Sequence, residues 1–135
     1  MRENTDAGTN RNICLKMNLN QIIFEDIDSC ANSDLIVDAI FGTGLDRPVS
    51  GLAADVINWI NQQKTPVLAV DLPSGFDCDT GKPLGLAVKA DCTVTFVARK
   101  PGMLAQGAED YLGNVVVASI GAPIELIKRF GRFIE

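Results

Sequence analysis

Two aspartates stand where apolar runs meet turns. In "VLAVDLPSG" (Val67–Gly75), four apolar residues deliver Asp71, and Pro73, Ser74 and Gly75 then turn the chain. In "DLIVDAIF" (Asp34–Phe41), Asp38 lies inside the apolar run itself. A carboxylate in a buried strand must be paired, hydrogen-bonded or bound to a cation. Asp38 is therefore either a cation ligand or a group with a structural partner. Asp71 also has two readings. It can cap its own turn, the commonest reason for aspartate in such a place, or act as a general acid or base if partial burial lifts its pKa toward neutrality. Residue type alone favours the cap. Asp77 and Asp79 read as solvated turn carboxylates, because a calcium loop needs denser ligand spacing.

Between Asp38 and the next helix runs "GTGLDRPVS". Gly42 and Gly44 allow close backbone approach and positive φ, and N–H groups beside a helix opening near Ser50 could cradle phosphate oxygens. An ordinary strand-to-helix loop is the plainer reading. G-x-G without a third, correctly placed glycine is a weak dinucleotide signal, and Arg47 stands where a glycine would help. "RKPG" (Arg99–Gly102) adds two cations, with Arg47 as a third. Such residues are usually solvated, but here they could hold an anionic ligand or bias Asp71.

The elements that position these groups follow from periodicity. Strands are predicted at Gln21–Ile27, Asp34–Phe41, Thr65–Leu72, Cys92–Val97 and Asn114–Ile120, most of them apolar without a polar face, the pattern of strands covered on both sides. A short helix is predicted from Thr5 or Asp6, with Ile13, Cys14 and Met17 as its apolar stripe. Another runs from Ser50 as N-cap to about Lys64, where Leu52, Val56 and Ile60 recur at i+4. A third covers Leu104–Asp110, and a fourth follows Pro123 through Phe130. Strands alternating with helices imply a parallel sheet with helices on both faces. Ligands in such sheets bind beyond the carboxyl ends of the strands, where Asp71 and the three loops fall.

At 135 residues the chain is one modest domain. Seventeen acidic against twelve basic residues argue against broad nucleic-acid binding, which draws its affinity from basic side chains. No apolar run approaches a membrane span and no secretory leader is present in this sequence, so a cytoplasmic protein is expected. The absence of histidine removes the commonest general base and the usual Ser-His and Cys-His pairs. Cys14, Cys30, Cys78 and Cys92 are too widely spaced for a zinc knot and read as reduced thiols, Cys92 as a small core residue.

Taken in order, "DLIVDAIFGTGLDRPV", "VLAVDLPSGFDCDTG" and "KADCTVTFVARKPGML…LGNVVVASIGAP" resemble the NAD(P)H-hydrate epimerase family, the YjeF N-terminal domain, over about residues 34–123. The resemblance implies a three-layer, Rossmann-like α/β/α sandwich with a mostly parallel sheet. It implies an isomerase that interconverts the R and S forms of hydrated NADH and NADPH (NADHX and NADPHX), coupled or fused to a dehydratase that repairs them. Carried over residue by residue, Asp38 and Ser74 look like potassium ligands. Gly42, Thr43, Gly44, Leu45, Asp46, Arg47 and Pro48 look like the segment contacting the substrate's phosphates or ribose. Asp71 looks like the substrate-binding acid, and its proposed catalytic role is to donate and then accept a proton.

The family's glycine- and asparagine-rich phosphate loop, of the type "GNNGGDG", has no match in Met1–Ile27; "DAGTN" (Asp6–Asn10) is not that loop. The resemblance thus implies a single, partial domain over residues 1–135, lacking its amino-terminal strands. An uncovered sheet offers unpaired groups to other chains, so a homodimer is expected. The alternative reading is a non-catalytic, truncated nucleotide-binding module of the same fold.

Overall fold

The structure, a computed structural model, describes residues 5–131. Residues 1–4 and 132–135 of the expected 1–135 domain lie outside the described residues. The chain divides into two compact units, Met1–Ala31 and Asn32–Glu135.

In the first unit, helix α1 (Asp6–Lys16) starts where the sequence predicts, with the Thr5 hydroxyl accepting from the Gly8 N–H at 3.1 Å. The strand expected at Gln21–Ile27 does not form. Phe24–Cys30 is instead a 3-10 helix. Glu25, Asp26 and Asp28 interrupt the apolar run there, and acidic residues fit poorly in strands.

In the second unit, β1 (Ile36–Asp38), β2 (Val67–Val70), β3 (Cys92–Phe96) and β4 (Asn114–Ala118) form a sheet in that order. Every pairing is parallel, as expected. The register sets Asp38 beside Ala69 and Ala69 beside Thr93, so these side chains share one face. That face is buried. Ile57 and Ile60 of α2 (Leu52–Gln62) pack with Val67, Ala69, Val88 and Ala90, and Leu72, Phe76, Met103 and Leu112 form a second cluster with Val115 at its edge. Complete burial of a side chain such as Ile57 contributes about 1.5–3 kcal/mol.

The opposite face carries Val37, Val70, Val94 and Val116. Val37 is 54% exposed and Val116 44%, so the apolar run around Asp38 is not covered on both sides as its composition suggested. Cys92 shares this face and is half-buried rather than core; all four cysteines are free. β1 is also shorter than predicted. After Asp38 the Ile40 N–H turns back to Asp38 Oδ1 at 3.3 Å, a local bond that takes the chain out of the ladder.

Asp91 fastens the amino-terminal ends of the strands. Its Oδ2 accepts from Val67 N–H at 2.8 Å and its carbonyl accepts from Asn114 N–H at 2.9 Å. Between β2 and β3 the chain crosses without a helix. Asn61 of α2 clamps this long segment, donating to the Ala87 carbonyl and accepting from the Lys89 N–H, each at 2.9 Å. Two helix boundaries differ from expectation. Gly51, not Ser50, is the N-cap of α2, at φ 60°, with no side-chain cap. In place of a helix over Leu104–Asp110 there is a 3-10 turn at Pro101–Leu104 and a single turn, α3 (Glu109–Leu112). Gly107 at φ 84° separates them. The last helix, α4 (Ile124–Phe130), follows Pro123 as predicted.

Candidate functional site

The carboxyl end of the sheet carries two polar constellations. The first joins β1 to the turn after β2. Asp38 is 1% exposed and Ser74 fully buried. The Ser74 N–H donates to Asp38 Oδ2 at 2.7 Å and its hydroxyl to Asp38 Oδ1 at 2.6 Å. Ser74 Oγ also accepts the Phe41 N–H at 2.9 Å and lies 3.4 Å from the Phe41 carbonyl. Two residues 36 positions apart are thus locked together, and the start of the loop after β1 is tied to them. Gly75 makes the turn possible. Its φ is 92°, and a Cβ there would stand 2.0 Å from the Leu86 carbonyl oxygen, so only glycine fits.

The second constellation spans β2 and β3. Asp71 extends the ladder, its N–H donating to the Val94 carbonyl at 2.8 Å. Its own φ is 68°, a left-handed conformation uncommon outside glycine and asparagine or aspartate. Its carboxylate does not cap the turn that follows it, which corrects the reading favoured from residue type. It reaches sideways to β3, where Oδ1 accepts from the Thr95 hydroxyl at 3.1 Å, from the Phe96 N–H at 3.3 Å, and from Lys100 in an ion pair. No described residue donates to Oδ2.

Burial pushes the Asp71 carboxyl upward. The Lys100 hydrogen bond, the Phe96 N–H, the Lys100 charge and the Thr95 hydroxyl outweigh it, and the group is held below the ordinary aspartate value. The condition set for an acid–base role, burial lifting the Asp71 pKa toward neutrality, is therefore not met.

The remaining candidates are arranged around these two groups. Gly42–Pro48 leaves the Asp38 end of β1 as a largely exposed loop in which only Leu45 is partly buried. Neither Gly42 nor Gly44 has the positive φ allowed for them, and a Cβ at either would meet nothing within 4 Å. Packing does not demand glycine there. Arg47 and Arg99 are exposed, whereas Lys100 turns inward to Asp71. Asp77 behaves as a turn carboxylate, accepting from the Asp79 N–H at 3.0 Å and the Thr80 hydroxyl at 2.7 Å. Asp38 and Ser74 are brought together, and Asp71 stands at the neighbouring strand end with no hydrogen bond to either. Sequence reasoning passed over Thr95. Its signal was present: Thr93 and Thr95 are polar residues at alternate positions of an otherwise apolar strand, and both are buried.

The family profile described as YjeF-related protein N-terminus matches residues 2–102. An NAD(P)H-hydrate epimerase of Limosilactobacillus fermentum is 53% identical over 87 residues, covering 64% of this chain and 42% of the relative. The NAD(P)H-hydrate epimerase of Levilactobacillus brevis is 40% identical over 119 residues, covering 88% of this chain and 55% of the relative. A bifunctional NAD(P)H-hydrate repair enzyme of Leishmania major is 46% identical over 91 residues, 67% of this chain and 16% of that protein. The chain thus spans about half the length of the single-function relatives it matches. Among solved structures, the crystal structure of yeast ynu0 superposes with a TM-score of 0.72 at 19% identity, covering 99% of this chain and 58% of the yeast chain; this establishes the α/β fold. On the profile match the chain belongs to the family of YjeF-related protein N-termini.

Proposed function

We propose that this chain acts on hydrated NADH and NADPH, interconverting their R and S forms at the carboxyl end of its parallel sheet. The observation that carries the reading is the asymmetry of Asp71: among the described residues Oδ1 takes every donor, and Oδ2 is left for substrate. Epimerisation at a hydrated ring carbon requires a hydroxyl to leave and to return on the other face. The hydroxyl departs as water on taking a proton from solvent. Water then adds to the other ring face and gives a proton to the ionised Asp71 Oδ2, which returns it to solvent, so the cycle leaves no net proton. The loop Gly42–Pro48 follows the anchored Phe41, and its unhindered glycines suit close approach by phosphate or ribose oxygens. Asp71→Asn should abolish chromatographically resolved conversion of one epimer into the other while leaving the circular dichroism spectrum intact; full activity in that variant removes Asp71 from the mechanism.

Asp38 and Ser74 suit a potassium ion in donor type. They are hard oxygen donors beside the Phe41 carbonyl, and no cationic side chain among the described residues forms an ion pair with Asp38. Their hydrogen bonds are already made to one another, so an ion held there would supply charge for substrate phosphates without relieving an orphaned polar atom.

A second reading, a nucleotide-binding module without turnover, is favoured by the Asp71 carboxyl, which Lys100, Phe96 and Thr95 hold below its ordinary value and so without a proton for a departing hydroxyl. It predicts hydrate binding with no conversion in the same experiment. A dehydratase is the proposed functional partner, since the family includes proteins named as bifunctional repair enzymes. A second copy of this chain is the proposed structural partner, supported by the half-exposed valines Val37 and Val116 on one sheet face. Light scattering should give twice the 14.5 kDa chain mass, and a stable monomer at micromolar concentration would oppose that assignment. No helix among the described residues is long and apolar enough to cross a membrane.

A further inference from the structure

Lys100 is bonded in a way that limits what it can do. An ammonium group has three N–H donors. The Lys100 Nζ has three acceptors in reach: Asp71 Oδ1, Thr95 Oγ1 at 2.7 Å and the Phe96 carbonyl at 3.1 Å. All three belong to the carboxyl ends of β2 and β3, so no N–H remains for a ligand. Asp71, by contrast, has no donor to Oδ2 among the described residues. The backbone at both sides of this group is also set in an uncommon form, with Asp71 at φ 68° and Val97 at φ 69°. For a β-branched residue such as valine that conformation costs free energy and persists only when surrounding contacts enforce it.

We propose that Lys100 is the positioning residue of this site, pinning Asp71 Oδ1 against β3 so that Oδ2 alone faces the substrate. The inference rests on the reading of Asp71 as the substrate-binding acid. Lys100 acts through Asp71 and does not touch substrate itself. Its compact ammonium matters, because a planar guanidinium cannot reach three acceptors arranged around a point. Removing the ammonium frees Asp71 to rotate and leaves burial, which raises the acid, opposed only by Thr95 and the Phe96 N–H. Lys100 is the charged group that hydrogen-bonds Asp71. Asp38, on β1, and the exposed Arg99 form no hydrogen bond with it.

The test compares wild type with Lys100→Met and Lys100→Arg in two measurements. In the epimerase assay, Lys100→Met should lower kcat by about 100-fold, the usual cost of misplacing a reacting group. KM should change much less, and the acid limb of the kcat/KM profile should move to higher pH. Lys100→Arg should keep the acid limb near its wild-type position, because the charge remains, yet still lose kcat. Independently of turnover, carbon-13 NMR of the Asp71 carboxyl should titrate at higher pH in Lys100→Met than in wild type.

If wild type converts no hydrate, the epimerase reading fails, while the carboxyl titration still decides the role of Lys100. An unmoved titration overturns the proposal, as does an unchanged kcat in Lys100→Met. Should Lys100→Met not fold, Lys100→Gln removes the charge while keeping a polar side chain, and the same upward movement is required of it. An unchanged Asp71 midpoint there also overturns the proposal.

Discussion

Ser74→Ala tests whether the Asp38 constellation holds the carboxyl end of the sheet together. The substitution deletes one hydroxyl that makes two bonds at a fully buried position. Its donation to Asp38 Oδ1 at 2.6 Å is a hydrogen bond to a carboxylate, worth about 1.5–3 kcal/mol. Its acceptance of the Phe41 N–H at 2.9 Å is a neutral bond worth about 1 kcal/mol. The Ser74 N–H to Asp38 Oδ2 bond at 2.7 Å survives, so the carboxylate keeps part of its shell. The expected loss is about 2–4 kcal/mol, a large share of the roughly 5–15 kcal/mol that stabilises a typical domain. At about 2 kcal/mol/M in urea, the midpoint should fall by roughly 1–2 M. The single tryptophan, Trp59, borders the core cluster of α2 and reports unfolding by fluorescence. Asp38→Ala alone and combined with Ser74→Ala completes a double-mutant cycle, and the two losses should be strongly non-additive. A Ser74→Ala midpoint within about 0.3 M of wild type, or simple additivity, refutes the reasoning.

Glycine substitutions should separate structural from ligand-facing positions. Gly75→Ala must place a Cβ 2.0 Å from the Leu86 carbonyl oxygen at φ 92° and should lose more than about 2 kcal/mol in urea unfolding. Gly42→Ala, with nothing within 4 Å, should stay within about 1 kcal/mol of wild type while weakening hydrate binding; equal stabilities for the two variants would contradict this. The pH dependence of stability carries a definite sign. The folded pKa of Asp71 lies below its ordinary value, so its contribution is present above about pH 3.9 and is lost as pH falls through the folded value. The stability difference between wild type and Asp71→Asn should therefore be flat near neutrality and shrink below about pH 4, and a difference that grows on acidification would contradict the assignment.

Much of the sheet was legible because period and composition are local. The apolar runs at Val67–Val70, Cys92–Phe96 and Asn114–Ala118 became adjacent parallel strands, and Asp38, with no polar neighbour in its run, announced a partner. That Ser74 is this partner was not read from the sequence, where the resemblance offered both residues only as potassium ligands, since a contact between residues 36 positions apart leaves no trace in spacing. Asp71 was singled out by its place at a strand end, but neither the cap favoured for it nor the burial-raised pKa allowed for it is what the fold provides. Burial alone raises an acid; the opposing lysine lies 29 positions away on another strand end. The strand expected at Gln21–Ile27 failed because three acids compete locally for turn conformations, and the missing Ser50 cap because Gly51 provides the helix start through its backbone.

The central claim, that Asp71 works on an NAD(P)H hydrate at the sheet's carboxyl end, is tested most directly by the rate at which the purified chain equilibrates a single epimer of NADH hydrate. Wild type in potassium buffer should reach the R/S equilibrium far faster than the spontaneous reaction, and Asp71→Asn should follow the spontaneous curve. A wild-type time course indistinguishable from buffer, or an Asp71→Asn course indistinguishable from active wild type, would contradict the account.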